Sequence, residues 1–214
     1  MTGLSFAIES VRVERYAAAP TLLFRLAIDA DATERIDSIM LRCQVQIAPR
    51  QRNYSRDEHE RLFELFGEPE RWAETLKPLL WTHAMLIVPE FQGATKVDLP
   101  IACTYDLEVT AAKYFQSLED GDVPLDFLFS GTVFVRAENG IRIAQIPWSK
   151  EAHFRMPVRV WRELMDQYFP GCSWIRLRRE SIDALQRFKT ARGLLSLDDA
   201  VDVLMESAAP KVGQ

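Results

Sequence analysis

Residues 38–47 read Ser-Ile-Met-Leu-Arg-Cys-Gln-Val-Gln-Ile, and apolar side chains recur at every second position. The apolar row alternates with the polar residues Ser38, Arg42, Gln44 and Gln46 and consists of Ile39, Leu41, Cys43, Val45 and Ile47. A period of two places alternate side chains on opposite faces of an extended chain. The stretch therefore predicts a β-strand with one face on the core.

The same alternation continues on both sides of this stretch. It covers Leu22–Ile28, Leu99–Val109 and Val123–Val135, which predicts three further strands. The pair Asn139-Gly140 favours the positive φ angles of a tight hairpin turn, so Ile141–Ile146 is predicted to pair with the strand before it.

The opening segment changes phase. Phe6 and Ile8 occupy even positions, whereas Val11 and Val13 occupy odd ones. A β-bulge near Glu9-Ser10 would keep both pairs on the core side.

A helical insertion is predicted between these strands, at about residues 55–77. Ser55-Arg56-Asp57-Glu58 has the pattern of a capping box, which opens a helix through Phe66, and Gly67 ends that helix. The apolar run Leu79–Val88 favours another strand, although a run of this length is also compatible with a helix.

The period becomes helical after Trp148. Helices are predicted from Pro157, over Arg179–Arg192, and from Ser196. The predicted fold class is α+β, with an antiparallel β-sheet or β-sandwich core of about six to seven strands and C-terminal helices. We expect a β domain over residues 1–150, a helical segment packed on it over 151–207, and a tail over 208–214.

Composition argues against several classes of function. The net charge of −5 disfavours nucleic acid as the main ligand, because phosphate binding requires a surplus of Lys and Arg. Six basic residues lie between Arg176 and Arg192, but the acidic segment that follows favours two solvated helix faces over an anion site. No apolar run approaches the ~18 residues of a membrane helix, so we expect no membrane insertion and a cytoplasmic location.

No catalytic or metal site is predicted. Cys103, His83 and Asp106 are the nearest approach to a nucleophilic constellation, but Cys103 is in phase with the apolar row, which favours a core thiol. The three cysteines include no CxxC pair, which suits reduced cytosol, and the three histidines have no neighbouring ligand. No glycine-rich phosphate loop occurs, so no cofactor is expected.

Aromatic residues concentrate near the change from strands to helices, and most are expected in the core. The alternative is an exposed apolar groove that binds a peptide or an unfolded segment. Its predicted residues are Trp148, Phe154, Trp161 and Trp174, with Arg155 and Arg159 on its rim.

Three stretches carry a resemblance to a bacterial domain family of about this length. They are Val123–Phe134, Ile146-Pro147-Trp148 and Tyr168-Phe169-Pro170, and the resemblance covers nearly the whole chain. Genes of that family often lie beside those of nickel-iron hydrogenases. The resemblance implies an accessory role in hydrogenase assembly and assigns no residue a task.

A looser resemblance covers the last quarter of the chain. Phe169-Pro170, Ile175, Leu177 and Ile182–Leu185 follow the pattern of the bacterial export chaperone SecB, in which a sheet precedes a helix, a Phe-Pro loop and a closing helix. The insertion at 55–77 and the helix from Ser196 depart from that family, which counts against a tetramer of the chaperone type.

The expected function is a non-enzymatic accessory or scaffold protein that binds another protein, such as a hydrogenase subunit, and a homo-oligomer is compatible with this. The first alternative is a holdase chaperone that binds an unfolded client. The second is an enzyme whose site assembles from His83, Cys103, Asp106 and His153. A small ligand inside the β framework would require a closed apolar cavity of several hundred Å³.

Overall fold

The strands form two antiparallel sheets, and the helices lie between groups of strands and at the C-terminal end of the chain. The computed structural model describes residues 3–104, 109–138, 140–172 and 175–208. The strands are β1 (Ser5–Val13), β2 (Thr21–Asp29), β3 (Arg35–Ile47), β4 (Leu79–Val88), β5 (Phe91–Gln92), β6 (Ala94–Ala102), β7 (Asp122–Ala137), β8 (Gly140–Gln145) and β9 (Glu151–Pro157). The helices are α1 (Arg56–Phe66), α2 (Trp72–Thr75), α3 (Thr110–Ser117), α4 (Val158–Tyr168), α5 (Arg179–Ala191) and α6 (Leu197–Ala208). The α+β class predicted from the sequence is confirmed.

The alternating stretch at 38–47 lies in β3, at the centre of a six-stranded sheet. β3 pairs with β4 and β5 along one edge and with β7 along the other. The long strand β7 pairs with β9 through its first half and with β8 through its second half. A second sheet has the order β1-β2-β6, and the register of β1 on β2 shifts between Ile8 and Ser10, which confirms the predicted bulge.

Aromatic contacts join the two sheets across the core. Phe24 of β2 lies edge-on to Phe127 of β7, with 5.2 Å between ring centroids, and Phe6 of β1 stacks on Phe129 at 4.5 Å. The predicted apolar rows of β2, β3 and β7 are buried. The core of the sandwich is therefore formed by one face of each sheet.

Gly131 lies where β7 exchanges β9 for β8 as its partner. Its φ angle is +141°, and a Cβ atom added there would lie 2.1 Å from the carbonyl oxygen of Met40 on β3. The carbonyl oxygen of Gly131 accepts a hydrogen bond from the backbone N–H of Ile146 at 2.9 Å. Only glycine fits this close approach of two strands.

The helical insertion is held to the rest of its unit by a buried ion pair. The predicted capping box is confirmed, because Ser55 and Glu58 exchange both hydrogen bonds at the start of α1. Glu58 also accepts from Arg52 and from the backbone N–H of Glu119, while Arg52 donates to the carbonyl oxygens of Asp120 (2.7 Å) and Asp122 (3.0 Å). One guanidinium thereby joins α1 to the turn before β7.

Two sequence predictions are corrected. Residues 151–157, assigned to the helical segment, form strand β9, because Phe154 and Met156 alternate against β7. The strand predicted to reach Val109 ends at Ala102, and Val109 precedes α3 instead. Tyr105 and Leu107 of that strand lie outside the described residues, as does Asn139 of the predicted turn.

The chain divides into two units, Met1–Trp174 and Ile175–Gln214. The second unit contains α5 and α6, which pack on each other and begin close to the predicted residues. The backbone N–H of Asp199 donates to Ser196 Oγ, and the Asp199 carboxylate accepts from the N–H of Ser196, both at 2.9 Å, which caps α6. Among the described residues, no helix is long and apolar enough to cross a membrane.

Candidate protein-binding surface

The outer face of the six-stranded sheet carries large apolar side chains that no other described element of the same unit covers. Strand pairing places Met40 opposite Ile87 and Phe134 opposite Ile143, and Phe134 lies diagonally from Met40 across β3 and β7. Diagonal neighbours on one face of a sheet are within reach of each other. We call this set the apolar band; its residues are Met40, Met85, Ile87, Phe134, Ile141 and Ile143.

The apolar band is well exposed. Met85 and Ile87 of β4 are 73% and 70% exposed, Met40 is 55% exposed, and Ile141 and Ile143 of β8 are 57% and 63% exposed. Together these side chains present on the order of 400 Å² of apolar surface. Contiguous patches of this size on a monomer are commonly functional.

Strand β8 adds a free backbone edge to the band. It pairs with β7 on one side, and no strand among the described residues pairs with its other side. Its side chains are exposed along almost the whole strand. An open edge next to apolar side chains is the geometry that accepts an added strand from another chain.

Two arginines border the apolar band, and one of them has no ion pair among the described residues. Arg42 lies opposite Met85 on the outer face, is exposed, and forms no ion pair with a described residue. At the far side of the band, Arg136 is paired with Asp37. The band therefore offers apolar contact next to one free positive charge, which suits an apolar segment flanked by a carboxylate.

The described residues among the six predicted to form an aromatic groove do not come together. Trp161 is buried and stacks on Phe115, with 4.4 Å between ring centroids. Phe154 packs on Phe24 in the core, whereas the next residue, Arg155, lies on the opposite face of β9. The burial of Trp161 and the alternation along β9 exclude a single groove lined by these side chains.

The other three predicted residues have different surroundings. Trp148 is 91% exposed in the loop between β8 and β9, and Arg159 is exposed on α4. Trp174 lies outside the described residues. Protein binding by Trp148 stays a prediction, and it would occur at the same sheet edge that β8 leaves open.

The described residues of the enzyme alternative are also dispersed. Cys103 is buried in the core, whereas His83 and His153 lie on the outer face of the six-stranded sheet, on β4 and β9. Two strands separate these histidines, so they lie at least ~14 Å apart. His153 pairs instead with Asp126 at 2.7 Å, and Asp106 lies outside the described residues. Within the part of the chain that the structure describes, no three His, Cys, Asp or Glu side chains gather as metal ligands.

Thiol labelling should distinguish the three cysteines. Burial raises the pKa of Cys43 and of Cys103 to about 12, so at pH 8 only about one molecule in 10⁴ carries either thiolate. Cys172 is exposed. We expect one rapidly alkylated thiol in the folded protein at pH 8 and three after denaturation, measured by mass spectrometry. The two buried thiols should stay unreactive for as long as the protein remains folded.

The matched control for that labelling is Cys172→Ser, which should remove the rapid phase. If the Cys172→Ser protein were still alkylated rapidly at Cys103, the core assignment of this thiol would be wrong and the enzyme alternative would regain support.

A polar cleft of about 540 Å³ lies at the turn held by Arg52. Arg50, Arg155, Asp120 and Asp122 contribute to its lining, and it is open to solvent. Arg155 donates to the backbone carbonyl of Gln51 at 3.2 Å. The carboxylates of Asp120 and Asp122 lie near the arginines of the cleft, and the Arg52 guanidinium already donates to backbone carbonyls. The cleft therefore has no strong preference for an anion.

Sequence reasoning missed the apolar band although a signal for it exists. In the hairpin of β7 and β8, even-numbered residues of β7 lie opposite odd-numbered residues of β8. The core phase of β7 is odd, so Ile141 and Ile143 must share the solvent face with Phe134. Arg142 lies opposite Val135, on the side of the sheet that faces the core, and forms an ion pair with Glu34 at the end of the sheet.

The chain belongs to the family of unknown function DUF6084, whose model matches residues 1–213. No curated protein matches it. Among solved structures, Se-Met labelled β-glucosidase from Kluyveromyces marxianus aligns with 72% of this chain and 15% of its own, at 10% identity and a TM-score of 0.29. The same enzyme in complex with glucose aligns over the same shares at 11% identity and a TM-score of 0.23. The chain spans about 15% of the length of these enzymes, and such TM-scores do not show a shared fold.

Proposed function

We propose that this member of DUF6084 is a non-enzymatic accessory protein that binds another protein through the apolar band and the free edge of β8. The single observation that carries the proposal is the exposure of five large apolar side chains on adjacent strands of one sheet face. A single exposed isoleucine is common on protein surfaces, whereas a contiguous set of exposed apolar side chains beside an open strand edge indicates an interaction site.

The mode of binding that fits this surface is strand addition. An extended segment of the partner would hydrogen-bond to the outer edge of β8 and place alternate apolar side chains beside Ile141 and Ile143. Arg42 lies on β3, and β7 separates β3 from β8. A carboxylate of the partner must therefore extend across the apolar band to pair with Arg42. The same geometry serves a folded partner with an exposed strand and a holdase that binds an unfolded client.

The partner we propose to test first is a nickel-iron hydrogenase subunit. The gene neighbourhood of the family that the sequence resembles supports this choice, and no residue of the apolar band discriminates between hydrogenase subunits and other clients. The holdase variant predicts instead that the protein suppresses aggregation of unrelated denatured proteins.

Placing charge on the band should abolish binding. In the double variant Ile87→Asp/Ile143→Asp, two central contacts become charged groups that binding would have to desolvate. We expect affinity for the partner to fall by more than about 30-fold, which corresponds to the loss of one interface hot spot. The measurement is titration calorimetry with the hydrogenase subunit that co-purifies from the native cell.

The matched control places the same two charges on the other sheet. Ala7 and Ala102 are exposed positions on the outer face of the three-stranded sheet. Ala7→Asp/Ala102→Asp should bind as the wild type does, and both variants should melt cooperatively. Equal affinity of the two double variants for the partner would refute binding through the band.

A further inference from the structure

The rim of the six-stranded sheet beside β7 is formed by β8 and then by β9, both antiparallel to β7. The backbone N–H of Ile146 donates to the carbonyl oxygen of Gly131 at 2.9 Å. The N–H of Phe129 donates to the carbonyl oxygen of Lys150 at 2.8 Å. Three residues, 147–149, therefore lie where a regular strand would have one. This β-bulge separates the open edge of β8 from β9.

The open edge of β8 is short. The hairpin turn bounds it before Ile141, and the bulge bounds it after Gln145. Elsewhere on the rim of the sheet, β9 lies beside β1 and β4 lies beside β6. Five residues of extended chain span about 17 Å, so the edge accommodates a short segment rather than a long strand.

Hydrogen bonding to β7 determines which amide groups of β8 remain free. In an antiparallel ladder, pairs of residues that exchange two hydrogen bonds alternate with pairs that exchange none. Ile146 is bonded to Gly131, so the even-numbered residues of β8 direct their N–H and C=O groups at β7. Ile141, Ile143 and Gln145 therefore direct theirs at the open edge. The side chains of the same three residues lie on the outer face of the sheet.

Trp148 lies at the centre of the bulge and is 91% exposed. A side chain with this exposure contributes little to the core, whereas tryptophan is enriched at binding hot spots. Its position, three residues after Gln145, places it at the end of the open edge. We call β8 together with residues 146–149 the edge slot.

The arginines of β7 and β8 that border the edge slot are already paired. Arg142 forms an ion pair with Glu34, and Arg136 forms one with Asp37. The edge slot therefore offers a ligand free backbone amide groups and apolar side chains. An uncharged extended segment matches these groups.

We propose that the edge slot binds a short, uncharged, extended segment of the partner protein, added antiparallel to β8. The proposal rests on the proposed function and specifies the segment that this function requires. The described ladders of both sheets are antiparallel, and antiparallel pairing is slightly more stable than parallel pairing. From its N-terminal end, the segment has a polar residue opposite Gln145 and then, at every second position, apolar residues opposite Ile143 and Ile141. The residues that precede this pattern contact Trp148.

Hydrogen exchange tests the edge residue by residue. In the free protein, NMR should show rapid amide exchange at Ile141, Ile143 and Gln145 and slow exchange at Arg142 and Ala144, because only the latter two donate to β7. Saturation with the hydrogenase subunit used for calorimetry should slow the three rapid amides by more than about tenfold. Unchanged exchange at these amides in the complex would overturn the proposal. Slow exchange in the free protein would overturn it too, because the edge would then be covered by the chain itself or by a second copy.

Ile143→Pro removes one free N–H and keeps an apolar side chain. Proline is tolerated on an edge strand where the N–H faces solvent, so this variant should melt close to the wild type. Its ring would occupy the place of the added strand, and affinity for the hydrogenase subunit should fall by more than about 30-fold. The matched control, Ile143→Val, keeps the N–H and should lose less than about threefold. If Ile143→Pro does not fold, the exchange measurement decides the question.

Trp148→Ala tests the end of the edge slot. Affinity for the hydrogenase subunit should fall by more than about tenfold, with the melting temperature unchanged, because the indole contributes to binding and not to the core. Tyr16→Ala is the matched control, since Tyr16 is 94% exposed and lies between β1 and β2. It should bind as the wild type does. Equal affinity of these two variants would overturn the assignment of Trp148 to the edge slot.

The edge slot and the proposed function fail in different ways. Suppose that Ile143→Pro binds like the wild type while Ile87→Asp/Ile143→Asp does not bind. The edge slot would then be refuted and binding through the apolar band would stand, because the partner would contact the sheet face alone. Equal affinity of the two aspartate double variants would instead refute the proposed function itself.

Discussion

Gly131→Ala is expected to destabilise the folded state severely. A Cβ atom at this position would lie 2.1 Å from the carbonyl oxygen of Met40 and 3.1 Å from its carbonyl carbon, both in the backbone of the central strand β3. Neither atom can move without breaking the ladder between β3 and β7. We expect a loss of more than about 4 kcal/mol in the free energy of unfolding, a large part of the total for a domain. Urea denaturation of soluble protein, followed by tryptophan fluorescence, measures it.

Gly140→Ala is the matched control. Gly140 has nearly the same backbone angle, with φ +136°, but nothing lies within 4 Å of the position its Cβ would take. That variant should lose only the conformational strain, about 1 to 3 kcal/mol. Similar unfolding curves for the two alanine variants would mean that the approach of β7 to β3 is looser than the structure shows.

The central strands follow directly from local sequence. The apolar row of β3 fixes which face meets the core, and the capping box at Ser55 with Gly67 at the other end fixes α1 almost to the residue. These features depend on interactions within a few residues, which a sequence pattern records.

Helix α3 and strand β9 were missed for opposite reasons. Helix α3 has no side-chain cap at Val109, so no local signal marks its start, and its buried residues extend an apolar run that reads as a strand. Strand β9 was assigned to the helical segment because the sequence pattern indicates helix after Trp148, whereas Pro157 is the last residue of β9 and the N-cap of α4. In both cases tertiary packing, rather than local preference, selects the structure.

The apolar band shows what a sequence leaves open about a site. The parity of the β7–β8 hairpin places Ile141 and Ile143 on the outer face, but whether anything covers that face depends on the path of the whole chain. Ile87 and Ile143 are 56 residues apart in sequence. They lie on one surface only because β3 pairs with both β4 and β7.

Long-range pairing also explains why sequence analysis assigned no role to Arg52. Its carbonyl partners at Asp120 and Asp122 follow it by 68 and 70 residues. Its side chain and that of Glu58 are only 7% and 4% exposed. A charge this deeply buried is tolerated because the Glu58 carboxylate and the two backbone carbonyls of the turn accept hydrogen bonds from its terminal nitrogens.

Arg52→Met is therefore expected to destabilise the protein strongly. It leaves the Glu58 carboxylate buried without its cation and removes the donor for two backbone carbonyls, which together cost about 3 to 5 kcal/mol in the free energy of unfolding. The exposed pair of Arg56 and Glu60 on the same helix, with side chains 91% and 72% exposed, gives the control. Arg56→Met should change stability by less than about 0.5 kcal/mol.

The double variant Arg52→Met/Glu58→Leu separates the two parts of that cost. Removing the stranded carboxylate should recover part of the loss, since an apolar pair of similar volume is tolerated where a lone charge is not. The carbonyls of Asp120 and Asp122 stay without their donor, so recovery should be incomplete. If Arg52→Met unfolds at the same urea concentration as Arg56→Met, the ion pair does not hold the insertion to the sheet. If the double variant is no more stable than Arg52→Met, removal of the stranded charge does not outweigh the loss of the acceptor for the backbone N–H groups of Ser55 and Glu119.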